Sequence, residues 1–333
     1  MRQTREIFDD QELKALEIRT GRDVDVSDRV MERIAGRQGS RRRRGNSGFA
    51  RRPAAVIVFL VGVALFTSIT GYAANKYLQL KNSRGEVVLR TKEQGKYNPY
   101  EAALSAKLGR EWEKLKLLLK PGEQAAYYVK DAELDADRWN RIHFGYVPFP
   151  HDDYDAFLDQ LRDTNGPALP QPGYVPEGYA FETASVQARF GPLPPSPEYE
   201  TLVDELLAEA EAATDDRRLF YRVLPWSEAG GANLQYRNGE AVLNLFAYKS
   251  NGNSTLPLTP EMNAEKAEAG GTEIIIYESE EGDEARKYFR HRAIWYGTQA
   301  GAFYVIADDP KHPLDKKELI RIAESMILQK ERP

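Results

Sequence analysis

Apolar and polar positions alternate with ordinary helical or strand periods along most of the chain. One stretch breaks that habit: Ala54 to Asn75 (AAVIVFLVGVALFTSITGYAAN) runs for 22 residues without a charge. About 20 such residues cross the hydrocarbon core of a bilayer, so the run predicts one transmembrane helix. Downstream, Lys76 to Tyr97 is a polar connector in which Glu86 to Leu89 reads as a short strand. Asn98-Pro99-Tyr100-Glu101 has the form of a helix start, with Asn as cap, Pro in the first turn and Glu reaching back to the cap amide. Leu104, Leu108, Leu115 and Leu119 continue that helix on one face, and Lys120-Pro121-Gly122 ends it.

Gln124 to Val129 and Ile142 to Val147 are aromatic and β-branched runs and predict strands. Asp153 to Leu161 predicts a helix carrying Tyr154, Phe157, Leu158 and Leu161. The proline-rich stretch from Pro167 to Pro176 marks an expected boundary. Beyond it come a strand over Ala180 to Phe190, a stiff turn over Gly191 to Pro197, and a helix capped by Ser196. Tyr199, Leu202, Val203, Leu206 and Ala210 recur on that helix at its own period. Asn238-Gly239 predicts a two-residue hairpin with Arg237 opposite Glu240 and Leu234 opposite Leu243. Glu273 to Tyr277 is a further strand, and Lys287 to Tyr296 with Ala302 to Ala307 form a second hairpin. A closing helix, opened by Asp315 and Glu318, packs through Leu319, Ile322, Ala323 and Met326.

Strands grouped as hairpins, with helices between the groups, argue for an α+β fold on an antiparallel, curved sheet packed with helices and preceded by one transmembrane helix. Such a sheet would present a concave, partly apolar surface. The expected partition is a cytoplasmic basic tail over residues 1–53, largely disordered, a span over 54–75 and a connector over 76–97. An α/β region over 98–169 and an α+β domain over 170–330 follow.

Charge sets the topology. Residues 1–53 hold 14 Lys/Arg against 9 Asp/Glu, with Arg41 to Arg44, Arg51 and Arg52 just before the apolar run, while the chain as a whole stands at −5. Positive flanks stay in the cytoplasm, so the acidic remainder is expected outside. A cleaved secretory signal is a poorer reading, because such signals total about 15–30 residues with a hydrophobic stretch of 7–15. The arginines are better explained by topology and anionic head groups than by nucleic acid. Within the tail, Ser27 to Ile34 predicts a short helix on which Val30, Met31 and Ile34 share one face, a candidate contact for a cytoplasmic partner.

The chain has no cysteine, which removes disulfides, a thiol nucleophile and thiolate metal sites. It also lacks a Gly-rich phosphate loop, an HExxH pair and a GxSxG elbow, so no catalytic, cofactor or metal residue is assigned. His151-Asp152-Asp153 with Asp155 is the densest group of potential ligands, but it overlaps a helix start where acids are favoured anyway. Glu278 to Glu284 reads as a solvated acidic turn. The aromatics Trp226, Tyr236, Trp295, Tyr296 and Phe303 are the candidate ligand groove for a peptide or glycan, although aromatics on strands also fill sheet faces.

Tyr174-Val175-Pro176-Glu177-Gly178-Tyr179, the hairpin at Tyr236 to Tyr248, Ile294-Trp295-Tyr296 with Phe303 to Ile306, and Glu318 to Ser325 together resemble a known pattern. It is that of the extracytoplasmic domains of unknown function that follow a single membrane helix in Gram-positive proteins, some of them similar to membrane-bound anti-sigma factors or their regulators. The resemblance covers roughly residues 170 to 328, and Val24 to Ile34 is similar to the cytoplasmic leads of such proteins. It implies a domain that senses an envelope ligand or protein and a tail that engages a cytoplasmic partner such as a sigma factor. The zinc-binding anti-sigma module needs two cysteines, which this chain lacks. An anchored, non-catalytic envelope structural or interaction protein and an envelope enzyme stand as alternatives.

Overall fold

The computed structural model describes residues 77–94, 99–134, 141–250, 252–259, 262–281 and 283–329. The apolar run, the basic tail with Val30, Met31 and Ile34, and the cap residue Asn98 lie outside them. Among the described residues the fold is α+β, with antiparallel sheets and four α-helices, none of which is long and apolar enough to cross a membrane.

In chain order the elements are β1 (Gln79–Lys81), β2 (Val87–Glu93), α1 (Pro99–Lys116), β3 (Gln124–Val129), β4 (His143–Tyr146), α2 (Tyr154–Asp163), β5 (Ala180–Ala188), α3 (Pro197–Ala212) and β6 (Leu219–Leu224). There follow β7 (Ala229–Asn238), β8 (Ala241–Lys249), β9 (Ser254–Leu258), β10 (Met262–Ala269), β11 (Thr272–Ser279), β12 (His291–Gly297), β13 (Ala302–Ala307) and α4 (Lys316–Gln329).

Seven strands form the main sheet in the order β10-β11-β12-β13-β8-β7-β5, every pair antiparallel. The two-residue period of each strand divides its side chains between two cores. On one face Leu243 and Leu245, Ile274 and Ile276, Trp295, Tyr304 and Ile306 pack against Phe157 and Leu161 of α2 and against Leu319, Ile322, Ala323 and Met326 of α4. On the other, Phe246, Ile275, Tyr277, Ile294, Phe303 and Val305 pack against Leu80, Val88, Leu89 and Leu258. These last four belong to a small sheet, β1-β2-β9, in which β2 and β9 run parallel. Both faces of the main sheet are therefore covered, and the concave apolar surface expected from the sequence is filled by β1, β2 and β9.

The second antiparallel sheet, β4-β3-β6, lies between two helices. Ala126, Tyr128 and Phe220 meet Tyr199, Leu202, Val203, Leu206 and Ala210 of α3, while Ala125, Tyr127 and Val129 meet Leu104, Leu108, Trp112 and Leu115 of α1. All six residues of β3 are buried, as a strand covered on both faces requires. Ser196 caps α3 by accepting from Tyr199 N at 3.2 Å, and Asp315 accepts from Glu318 N at 2.8 Å at the start of α4.

Two expectations change. The hairpin turn is Gly239-Glu240, one residue later than the sequence suggests: Asn238 pairs with Ala241, Arg237 with Val242 and Leu234 with Leu245. Gly239 supplies the positive φ of +58°, while Asn238 stays in the strand and Glu240 keeps a negative φ, the arrangement of a turn with glycine at its first central position. Moving the partner of Leu234 by two residues leaves both side chains on the same face, so the core is unaffected. The boundary expected near residue 170 is crossed in both directions. Phe157 and Leu161 belong to the main-sheet core, and β6, from beyond the boundary, completes the sheet begun by β3.

Candidate functional site

The five aromatics proposed as a groove do not share one. Tyr236 and Trp295 are buried on the helix-covered face, Trp295 stacking on Tyr304 with ring centroids 5.4 Å apart. Phe303 and Tyr296 lie on the opposite face, against each other at 5.2 Å. Trp226 is half-buried, set edge-on to Tyr146, and its indole N–H donates to Gly122 O at 2.8 Å, tying the two sheets together. The two-residue period of the strands sends Tyr236 and Trp295 to one core and Tyr296 and Phe303 to the other, while Trp226 lies in the loop between β6 and β7.

The densest polar assembly forms where β13 leaves the main sheet. Asp308 directly follows six buried residues, and its side chain is fully inaccessible. A buried carboxylate needs donors, and four supply them. Oδ1 accepts from Arg290 N at 2.9 Å and His291 N at 2.7 Å, and Oδ2 accepts from Leu314 N at 3.0 Å and His291 Nδ1 at 2.8 Å. Because an ionised carboxylate can only accept, the 2.8 Å contact to Oδ2 places a proton on His291 Nδ1. Nε2 stands 3.9 Å from Glu278 Oε1, beyond hydrogen-bond distance. Glu278 is itself held by Arg290, and Lys316 of α4 bridges towards it at 4.0 Å while pairing with Glu265 at 2.7 Å. The acidic turn is thus less solvated than the sequence suggests. Glu278 is engaged, and Asp283 is buried, capping the one-turn helix Glu284–Lys287 through Ala285 N at 3.0 Å.

An oriented imidazole beside a buried carboxylate is half of a nucleophile-activating array. No hydroxyl among the described residues is hydrogen-bonded to Nε2, and the contacts that are made fasten β11, β12, the β13–α4 loop and α4 to one another. Sequence reasoning missed Asp308 and His291. The available signal was an acid placed immediately after a wholly apolar strand, where it has to find donors within the protein.

His151 and its neighbouring acids act locally. Asp153 caps α2 through Asp155 N at 2.8 Å, His151 Nε2 lies 2.7 Å from Gln160 Oε1, and the His151 backbone pairs with Ala184. Among the described residues no group of three or more His, Asp or Glu is arranged to hold a metal ion. A cleft of about 200 Å³ opens beside α1, lined by Lys107, Arg110, Glu111, Asp131 and Arg218 among others. Lys107, Asp131 and Arg218 are matched with charges of the protein itself. Lys107 donates to Glu133 at 2.5 Å and Asp131 at 3.2 Å, and Arg218 reaches Asp131 at 2.5 Å. The hydrogen bond to Glu133 foremost holds the Lys107 ammonium above its ordinary value. Burial disfavours the Asp131 anion, but the Glu133 backbone N–H and Lys107 outweigh it and keep that carboxyl below its ordinary value.

The segment Tyr174 to Tyr179 is a clamp. Tyr174 OH donates to Glu318 Oε2 at 2.5 Å, accepts from Arg321 Nη1 at 2.9 Å, and its ring lies 3.9 Å beneath the Arg321 guanidinium. Asn238 Nδ2 donates to Glu177 O at 3.3 Å, and Gly178 has φ +85° with Asn238 pressed where a β-carbon would be. The loop therefore joins the β7–β8 turn to α4, a structural task for the most recognisable motif in the chain. No protein-family profile matches the chain, and neither a curated protein nor a solved structure does.

Proposed function

We propose that this chain is a single-pass membrane protein in which Ala54 to Asn75 spans the bilayer. Residues 1–53 lie in the cytoplasm, and the α+β region stands outside as a non-catalytic binding module that reports to a cytoplasmic partner in the manner of anti-sigma-like architectures. The observation that carries the reading is the uncharged run of 22 residues with Arg51 and Arg52 before it. Counting 15 residues from either end of the run, six Lys/Arg precede it and four follow, which favours the same orientation.

The structure supports this reading in two ways. The fold starts at once after the run, with β1 at Gln79 and Leu80 already in a core, as expected of a domain held close to its anchor. The candidate chemistry of the folded region is spent internally, Asp308 and Asp131 each being engaged by several donors of the protein itself.

Because the chain has no cysteine, topology is directly testable by single introductions. An impermeant maleimide applied to intact cells should label full-length Thr214→Cys, an exposed position of the folded region, and spare Ser47→Cys. The opposite pattern would overturn the orientation, and equal labelling of both would overturn the span. For the partner, a sigma factor should co-purify with the full-length chain and be lost with Val30→Glu and Ile34→Glu. Co-purification that survives both changes would remove this helix face from the interaction, and its absence from the wild-type chain would leave a purely structural anchor protein.

A further inference from the structure

The membrane-proximal hairpin carries a charge opposite to that of the rest of the folded region. Residues 76–96 hold six Lys/Arg against two Asp/Glu, whereas residues 97–333 hold 26 against 40. In the structure β1 and β2 turn their apolar side chains inward: Leu80, Val88 and Leu89 are buried in the core under the main sheet. The outward positions are Gln79 and Lys81 on β1, with Arg90, opposite Gln79, and Lys92 on β2. Arg84 is exposed in the turn that joins them. That turn is held by Asn82, whose Oδ1 accepts from Arg84 N and Glu86 N, both at 3.0 Å. Its one acid is occupied within the turn, since Asn82 Nδ2 donates to Glu86 Oε2 at 2.7 Å. None of Lys81, Arg84, Arg90 and Lys92 forms an ion pair among the described residues.

Position identifies what these four cations face. Three residues separate Asn75, the end of the apolar run, from Gln79, and even a fully extended chain covers only about 14 Å from one to the other. Tyr77, in that interval, is 73% exposed, and tyrosine is enriched at head-group level. We infer that the outward face of the β1–β2 hairpin docks on anionic phospholipid head groups, seating the domain on the bilayer through Lys81, Arg84, Arg90 and Lys92. A solvated basic face elsewhere on the domain would need no partner; this one is tethered within reach of a surface of opposite charge. The inference rests on the single-span reading.

The test uses the full-length chain carrying Ser83→Cys, reconstituted into phosphatidylcholine vesicles with and without phosphatidylglycerol. Its labelling rate with a bulky water-soluble maleimide is normalised to Thr214→Cys, an exposed position on the same side of the bilayer. Each basic side chain near an anionic surface shifts the docked equilibrium about fivefold. Labelling at position 83 should therefore slow at least fivefold in the anionic vesicles. High salt, or Lys81, Arg84, Arg90 and Lys92 all changed to Gln, should restore it to the phosphatidylcholine rate. Equal rates in both vesicles, with the chain retained through an alkaline carbonate wash, would overturn the docking and leave the anchor standing. A chain removed by that wash would overturn the anchor and the docking with it.

Discussion

The indole of Trp112 on α1 lies directly over Gly145 on β4: a β-carbon built on Gly145 would stand 2.0 Å from Trp112 Cζ3. The helix meets the sheet at a position where only glycine leaves room. Its ring also stacks on Tyr127 of the neighbouring strand, with centroids 6.1 Å apart.

Gly145→Ala should lower stability by about 1–3 kcal/mol through overpacking, read as a lower urea midpoint. On the same helix, Gly109 has nothing within 4 Å of an added β-carbon. Gly109→Ala should raise stability by about 0.5–1 kcal/mol, because alanine loses less backbone entropy in a helix. Two equal effects of the same sign would contradict this account of how α1 seats.

Asp308 gathers four donors from two separate stretches of chain, Arg290-His291 and Leu314. Asp308→Ala should cost about 2–4 kcal/mol, since buried N–H groups lose their acceptor. His291→Gln, which leaves the three backbone bonds in place, should cost less. Thermal unfolding of the two variants side by side checks the order, and a loss for Asp308→Ala no larger than that of an ordinary surface change would exclude the fastening role.

Burial lifts the phenol of Tyr304 from 10.0 to about 12, and burial likewise lifts Tyr146 to about 12 against the opposing effect of the Phe149 backbone. A group whose ionisation is harder in the folded state contributes stability that is whole below its unfolded value and is lost as pH rises through its folded one. Urea midpoints should therefore hold up to about pH 10 and decline between 10 and 12. Tyr304→Phe should make that alkaline decline shallower. It should also cost about 1 kcal/mol at neutral pH, because the hydroxyl donates to Ala168 O at 2.8 Å.

Leu65 falls near the middle of the apolar run. Leu65→Arg should cost about 2.5–3.5 kcal/mol of insertion, moving part of the protein into the carbonate-extractable fraction of a membrane preparation. An unchanged distribution would count against the span.

Much of the fold was legible where local chemistry and tertiary packing agree. The five buried positions of α3 and the four of α4 are those their periodicity selects, and β3 has the bounds its composition predicts. Legibility failed where packing overrode local preference. Met262 to Ala269 (MNAEKAEA) is rich in helix formers yet pairs along its length with β11, and the Gly270-Gly271 turn was the only local hint of that hairpin. β6 pairs with β3 across some ninety residues, a partnership no short-range pattern encodes. The aromatic groove failed for a related reason: strand parity, not proximity in sequence, decides which core an aromatic enters, and Trp295 and Tyr296 enter opposite ones. Asp308 and His291 are 17 residues apart, and only the β12–β13 pairing brings them together.

The return of β6 to β3, and of α2 to the core beneath α4, has a bearing on turnover. A single proteolytic nick in the loops between α2 and β5, or between β5 and α3, would leave two pieces still zipped by a shared sheet and a common interior. Such a nicked protein would run as one particle under native conditions and as two bands after denaturation. On the proposed single-span topology, shedding the folded region from the cell surface would instead call for scission ahead of β1, within the few residues that follow Asn75.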